Sequence, residues 1–195
     1  PAVGHEVSAT AAGGVAVGTD ATTAVSGSGV GVGTGATASS GTALGNGATA
    51  GANTALGAGA TAESTDSTAV GESAAASETG STALGSNTEV EAGAVGGVAI
   101  GAGAFVQANA PNSVALGQDS VANAANTVSI GQPGQERRIT NMADGINSMD
   151  GVNMSQLNAV EQIIYDERNE LRAGIAAAVS LVTLTPSAPG KTVIN

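Results

Sequence analysis

Residues 42–57, TALGNGATAGANTALG, contain two copies of the four-residue phrase that decides the fold. The first residue of the phrase is Thr or Val, the second is usually Ala, the third is aliphatic and the fourth is Gly. After a truncated copy ending at Gly4, its glycines recur 12 to 16 residues apart at Gly18, Gly33, Gly45, Gly57, Gly71, Gly85, Gly101, Gly117 and Gly131. This spacing is too short for a helical repeat and is typical of one turn of a solenoid. The repeat therefore predicts about ten stacked rungs, each contacting only its neighbours.

Each phrase also predicts a short β-strand with two different faces. Side chains alternate across a strand, so Thr42 and Leu44 share one face and Ala43 takes the other. Neither face suits water, so both are expected to be buried. The larger Val, Leu and Ile residues are predicted to fill the interior of the chain's own roll. The alanines are predicted to admit a neighbouring chain: Ala43, Ala55, Ala69, Ala83, Ala99 and Ala115.

A second alternating strand follows each glycine, as in Ala48-Thr49-Ala50 and Ala60-Thr61-Ala62. Two strands per rung make a flattened, mainly β roll. At ~4.8 Å per rung, ten rungs give a rod about 45 Å long. One such roll has a shallow interior, so association of several chains is expected.

Composition excludes several classes of function. Aromatic residues make up 1% of the chain, Cys is absent and the formal net charge is −11. The acidic excess argues against nucleic acid and anionic membrane surfaces as partners, because both attract Lys and Arg. Small aliphatic residues, rather than aromatic side chains or disulfides, must supply the packing.

The composition changes at Gln132-Pro133-Gly134, and a helical pattern runs from Met149 to Leu184. Its apolar residues follow coiled-coil spacing, interrupted by Glu167 and Gly174. The predicted seam contains Leu157, Val160, Ile164, Leu171, Ala178 and Leu181. The resulting division is a roll over 1–134, a connecting segment over 135–157, a coiled-coil helix over 158–184 and a last segment over 185–195.

At this point the residues resemble a known family. The rungs resemble the head repeat of YadA-like trimeric autotransporter adhesins, and residues 138–157 resemble their neck. One departure is Gly151, where the family usually has Ala; it is expected to weaken the helix start by up to ~1 kcal/mol. The neck residues that carry the match and are expected to join the chains are Arg138, Ile139, Asn141, Asp150, Val152, Asn153, Gln156 and Leu157.

The resemblance implies a homotrimer with a left-handed parallel β-roll head, a neck and a three-stranded coiled-coil stalk. It implies that 185–195 begins an outer-membrane anchor whose barrel is absent from this sequence. It further implies type V secretion, a place at the bacterial cell surface, and a role in virulence through attachment to host extracellular-matrix proteins or host-cell receptors.

No residues form a credible catalytic, cofactor or metal site in the sequence. His5 is the only histidine, so a Ser-His-Asp arrangement has no other candidate. The acidic residues lack the Gly-Gly-x-Gly-x-Asp repeat of calcium-binding rolls. The Thr22, Thr37, Thr49 and Thr61 column resembles an ice-binding array, but Ala75, Glu89 and Val121 interrupt it. A non-enzymatic protein without cofactors is predicted.

Two functions remain open from the sequence. The first is a trimeric adhesion module whose head contacts the host. The second is a rigid spacer that lifts a more distal binding domain away from the membrane.

Overall fold

The computed structural model describes residues 1–10, 12–24, 27–51 and 53–181. The chain forms two compact units, Pro1–Arg137 and Arg138–Asn195. The predicted anchor segment 185–195 and the end of the predicted helix, 182–184, lie outside the described residues.

The first unit is a parallel β-solenoid, which confirms the predicted β-roll. The odd-numbered strands form sheet A, of ten strands stacked in chain order. They are β1 (Ala2–Val3), β3 (Val15–Val17), β5 (Val30–Val32), β7 (Thr42–Leu44), β9 (Thr54–Leu56), β11 (Thr68–Val70), β13 (Thr82–Leu84), β15 (Val98–Ile100), β17 (Val114–Leu116) and β19 (Val128–Ser129).

The even-numbered strands form sheet B, of nine strands. They are β2 (Ser8–Ala9), β4 (Thr22–Thr23), β6 (Thr37–Ala38), β8 (Thr49–Ala50), β10 (Thr61–Ala62), β12 (Ala75–Ala76), β14 (Glu89–Val90), β16 (Phe105–Val106) and β18 (Val121–Ala122). A rung therefore consists of a strand of sheet A, a glycine corner, a strand of sheet B and a second corner.

Glycine is required at the glycine corner for two reasons. Gly85 has φ +136°, and a Cβ on it would lie 2.8 Å from the carbonyl carbon of Gly101, one rung further along the chain. A side chain would therefore strain the backbone and collide with the next rung. The repeated phrase ends in Gly because the glycine corners stack directly on one another.

The interior is filled mainly by alanine, so the prediction that Val, Leu and Ile of sheet A point inward was wrong. Ala43 from sheet A, Ala50 from sheet B and Ala48 between the strands are all at most 1% exposed. Val, Leu and Ile of sheet A point outward instead. In this 12-residue rung both corners are short, so the space between the two sheets holds only small side chains. The six alanines predicted to admit a neighbouring chain line the chain's own interior.

Rung length matches the size of the interior residues. The rungs over 82–97 and 98–113 are the longest, with 16 residues each. Their sheet B strands bury Val90 and Val106 where the 12-residue rungs over 30–41 and 42–53 bury alanines. A longer second corner enlarges the cross-section, and valine fills the added space.

Buried hydroxyl groups close the corners. The Ser67 and Ser113 hydroxyls each donate to the carbonyl three residues earlier, at 2.6 Å, and the Thr88 hydroxyl donates to the Gly85 carbonyl at 2.8 Å. These bonds give each buried hydroxyl an acceptor within its own corner. Serine and threonine thus take some of the inner positions beside the alanines.

The second unit contains one helix, α1 (Met154–Ser180). It begins where Asn153 and Gln156 form a capping box, five residues later than the apolar pattern predicts. Gly151 lies before the helix cap, so the expectation that it weakens the helix start was wrong. A Cβ at Gly151 would approach the terminal methyl of Met142 at 2.8 Å.

Candidate interaction surfaces

The outer face of sheet A is a continuous apolar ribbon. Its aliphatic column holds one residue per rung, in direct register from Leu44 through Leu56 and Val70 to Leu84. Leu56, Leu84 and Leu116 are 43–44% exposed in the single chain. The column contains Val3, Val17, Val32, Leu44, Leu56, Val70, Leu84, Ile100, Leu116 and Ile130. An exposed apolar surface of this length marks a site of association.

This ribbon carries no charge. Its second column consists of Val15, Val30, Thr42, Thr54, Thr68, Thr82, Val98, Val114 and Val128. The carboxylates of residues 1–137 lie on sheet B or in the corners and the final turn: Glu6, Asp20, Glu63, Asp66, Glu72, Glu78, Glu89, Glu91, Asp119 and Glu136. Depletion of charge is the compositional mark of an interface core.

The outer face of sheet B is different in chemistry. Thr22, Thr37, Thr49 and Thr61 form a column of partly exposed hydroxyl-bearing side chains in direct register. The column continues through Ala75, Glu89, Phe105 and Val121. The sequence placed the threonines on an outer strand face, and the structure confirms that position. Sheet B therefore offers a narrow, mixed surface rather than an apolar one.

Carboxylates fasten the second corners of the longest rungs to their neighbours. The Glu78 carboxylate accepts hydrogen bonds from the backbone N–H of Thr79 at 2.9 Å and of Gly93 at 2.8 Å. These two N–H groups lower the pKa of Glu78 below its ordinary value. Glu91 similarly accepts from the Ala108 N–H at 2.8 Å. The sequence did not predict this role for either glutamate.

In the second unit, polar side chains tie the connecting segment to the helix start. Asn153 donates to the Met142 carbonyl at 3.1 Å and to the Asp144 carboxylate at 2.8 Å. Gln156 accepts from the Gly145 N–H at 2.9 Å and donates to the Gly145 carbonyl at 3.0 Å. Both residues were predicted to belong to the neck. Their bonds within one chain shape a compact loop there.

Asp150 holds the tip of this loop. Its carboxylate accepts from the backbone N–H groups of Asn147 and Ile146, both at 2.9 Å, and these bonds lower the pKa of Asp150. The partners of Asp150, at Ile146 and Asn147, were not identified from the sequence. Their only sequence signal is the clustering of turn-forming residues over 141–153.

The apolar neck residues stay exposed in the single chain. Ile139, Val152 and Leu157 are 53–68% exposed and line one groove with Asn141, Met142, Asn153, Met154 and Ser155. Arg138 is also exposed, and Asn141 takes a left-handed backbone conformation with φ +61°. The structure brings six of the eight predicted neck residues together around this groove and the helix cap: Ile139, Asn141, Val152, Asn153, Gln156 and Leu157.

The helix exposes its apolar side chains in the same way. Val160, Ile164 and Leu171 of the predicted seam are 52–65% exposed. Ile175 and Val179, which do not belong to the predicted seam, are 56% and 66% exposed. A helix with this many exposed aliphatic residues requires partners. No described helix is long and apolar enough to cross a membrane.

The parts of the chain that the structure describes contain no group of three or more His, Asp or Glu side chains arranged to hold a metal ion. His5 lies beside Glu6 at 3.9 Å, and both side chains are more than 70% exposed.

Comparison with known proteins gives matches to two family models and to solved structures. The coiled stalk of trimeric autotransporter adhesin matches residues 138–179, and the YadA head domain repeat matches 54–71, 62–88 and 108–132. The crystal structure of the collagen-binding domain of the Yersinia adhesin YadA is 28% identical, with a TM-score of 0.50, over 82% of this chain and 73% of that chain. No curated protein sequence matches the chain.

Proposed function

Because the chain is a YadA-like trimeric autotransporter adhesin, we propose that it is a cell-surface adhesion module that attaches a bacterium to host extracellular matrix or to host cells. Adhesins of this type are proteins of the outer membrane and cell surface. The observation that carries the proposal is the contrast between the two outer faces of the solenoid. One face is uncharged and apolar, and the other is polar and carries charge.

The outer face of sheet A is the proposed contact between the three heads. Packing of three aliphatic columns would remove Leu56, Leu84 and Leu116 from water, and no charged group would be desolvated in the process. The contact thus lies on the face opposite to the one that the sequence predicted. The alanines shape each roll, and the larger residues join the rolls.

Neck and helix supply the second proposed contact. Ile139, Val152 and Leu157 form an exposed apolar groove that a neighbouring copy can cover. On an α-helix, 18 residues make five turns, so Ile175 lies on the same face as Leu157. At 100° per residue, Leu157, Ile164, Ile175 and Val179 lie within about 60° of one another around the helix axis and form one exposed apolar face. That face is the proposed seam of a parallel three-helix coil.

With sheet A occupied, sheet B and the corners remain for the host ligand. The Yersinia domain of similar structure binds collagen, which supports an extended matrix protein as the ligand of this chain too. The threonine column is a straight surface, and it is free of the bulky side chains that would keep an extended polypeptide away.

Binding of the 195-residue chain to immobilised collagen, fibronectin and laminin tests the proposal by biolayer interferometry. We expect saturable binding to at least one of them. The double variant Thr37→Asp, Thr61→Asp is expected to weaken that binding at least about tenfold and to remain trimeric. The matched control Thr54→Asp, Thr68→Asp places the same charges on sheet A and is expected to disrupt the trimer instead.

The alternative function is a rigid spacer, and the unbroken strand ladder from Ala2 to Ser129 favours it. A spacer needs length and stiffness but no ligand. Absence of binding to all three matrix proteins and to host cells, in a chain shown to be trimeric, would support the spacer and contradict the adhesion module.

A further inference from the structure

The solenoid ends in a tight turn directly after its tenth strand of sheet A. Gln132-Pro133-Gly134-Gln135 has proline second and glycine third, with Gly134 at φ +82°, as in a type II turn. The Gln135 N–H donates to the Gln132 carbonyl at 2.8 Å. The Glu136 carboxylate accepts from the Gly134 N–H, also at 2.8 Å. The chain therefore reverses beneath the last rung.

Pro133 interrupts a hydrogen-bond ladder that runs along the glycine corners. In each corner, the residue two positions after the glycine donates its N–H to the preceding rung. Thus Gly103 donates to the Ser86 carbonyl and Asp119 to the Ala102 carbonyl, both at 2.9 Å. The next residue in this series is Pro133, which has no N–H to give to the Gln118 carbonyl.

Arg137 occupies the position of the missing rung. Its Nη2 donates to the Gln118 carbonyl, and its Nη1 donates to the Ile130 carbonyl at 2.8 Å and to the Ser120 hydroxyl at 2.9 Å. Ile130 is the counterpart of Leu84 and Ile100, whose carbonyls accept the glycine N–H of the following rung. A Cβ on Gly117 would lie 3.3 Å from this guanidinium, where earlier glycines face the next peptide group.

We propose that Pro133 and Arg137 together form a terminator of the solenoid. Pro133 withholds the donor that would continue the ladder, and the flat guanidinium of Arg137 takes the exposed acceptors. Open strand edges pair with other chains, so repeat proteins need capped ends. A further rung, from this chain or from another copy, then finds the Gln118 and Ile130 carbonyls already occupied. Arg137 is the only Lys or Arg in residues 1–137, and its guanidinium binds carbonyls rather than a carboxylate.

Hydrogen exchange of the 195-residue chain, followed by mass spectrometry, tests the terminator. In Arg137→Gln, exchange over residues 119–131 is expected to rise roughly tenfold, while residues 42–84 keep their protection. Arg137→Lys keeps the charge but cannot bridge three acceptors, so an intermediate effect is expected. Arg172→Gln, on the helix, is the control for the change in net charge.

The double variant Pro133→Ala, Arg137→Gln separates capping from a general loss of stability. It restores an N–H at position 133 and is expected to recover part of the protection lost in Arg137→Gln. Sedimentation is expected to show assemblies larger than the wild type in Arg137→Gln alone. Equal exchange over 119–131 in Arg137→Gln and Arg172→Gln, or an equal increase along the whole solenoid, would overturn the proposal.

Discussion

The Glu78 carboxylate spans two rungs: its Oε2 accepts a hydrogen bond from the backbone N–H of Gly93, fifteen residues later, at 2.8 Å. The long second corner over 91–97 departs from the regular strand ladder, and Glu78 supplies an acceptor there. An acidic side chain on the surface is thus part of the framework of the solenoid.

This bond makes the stability of the rung depend on pH. The pKa of Glu78 is lower in the folded chain than its ordinary value, because the N–H groups of Thr79 and Gly93 favour the ionised form. The contribution is therefore present above the ordinary pKa and is lost as the pH falls through the lowered one. Glu78→Gln is expected to lower Tm at neutral pH, and the difference should shrink in acid. Glu72→Gln, a change on a glycine corner, is the control; an identical pH profile for the two variants would contradict the role of Glu78.

Enlarging an interior alanine is expected to destabilise the solenoid. Ala83 is fully buried between the sheets, so Ala83→Leu forces the strands apart and should cost at least ~1–3 kcal/mol. Val70→Leu, on the outer face of the neighbouring strand, should change the unfolding free energy of the roll little. Chemical denaturation compares the two. If Ala83→Leu were the milder change, the interior assignment would be incorrect.

Charge on the apolar ribbon is expected to separate the chains without unfolding the rolls. Leu56→Asp combined with Leu84→Asp places two carboxylates per chain in the proposed contact, where they would have no partner. Sedimentation equilibrium should give a lower mass, while circular dichroism retains its β-sheet signal. Thr49→Asp, on sheet B, should leave the mass unchanged; a trimer that survives the double substitution would place the contact elsewhere.

Gly47 and Gly85, which both lie in glycine corners, are expected to differ in how well they tolerate substitution by alanine. Gly47 has φ +67° and no atom within 4 Å of an added Cβ, so Gly47→Ala meets only backbone strain, about 1–2 kcal/mol. Gly85→Ala adds a collision with the Gly101 backbone. Thermal unfolding should therefore rank Gly85→Ala as the more damaging. Equal midpoints would mean that the rungs move apart freely at this corner.

The periodicity of the helix seam can be tested by two substitutions. Ile175→Asn should weaken trimer stability more than Ala178→Asn, because Ile175 lies five helical turns after Leu157 on the same face. The measurement is thermal unfolding at several chain concentrations, which reports on association. The reverse order of the two variants would restore the sevenfold seam that includes Ala178.

The positions of the strands could be predicted from the sequence, but the side of each strand that faces the interior could not. Alternation in Thr42-Ala43-Leu44 shows that Ala43 lies opposite its neighbours, and this follows from local geometry alone. Which face is inner depends on the distance between the two sheets, and the alternation of residues along one strand does not determine that distance. The sequence signal for the inner face was the presence of small residues at Ala43, Ala48 and Ala50 together. These three side chains bound the interior of the rung, and no larger side chain fits between them.

Side-chain contacts between residues far apart in the sequence could not be predicted from its pattern either. Arg137 reaches Gln118, nineteen residues away, and Asn153 reaches Met142, eleven residues away. Neither pair follows a periodic spacing. Only Pro133, at the position where each corner needs a donor, marked the end of the ladder in advance.

The unequal lengths of the second corners have a consequence for how such a protein can change. The strands of sheet A and the glycine corners keep constant dimensions, while rungs of 12 to 16 residues absorb every difference at the second corner. Insertions there alter the outer surface of the solenoid and leave the stacked framework as it was. Duplication or loss of a whole rung changes the length of the rod in steps of ~4.8 Å. The chemistry of the outer corners and the length of the rod can therefore change independently of each other, without a redesign of the fold.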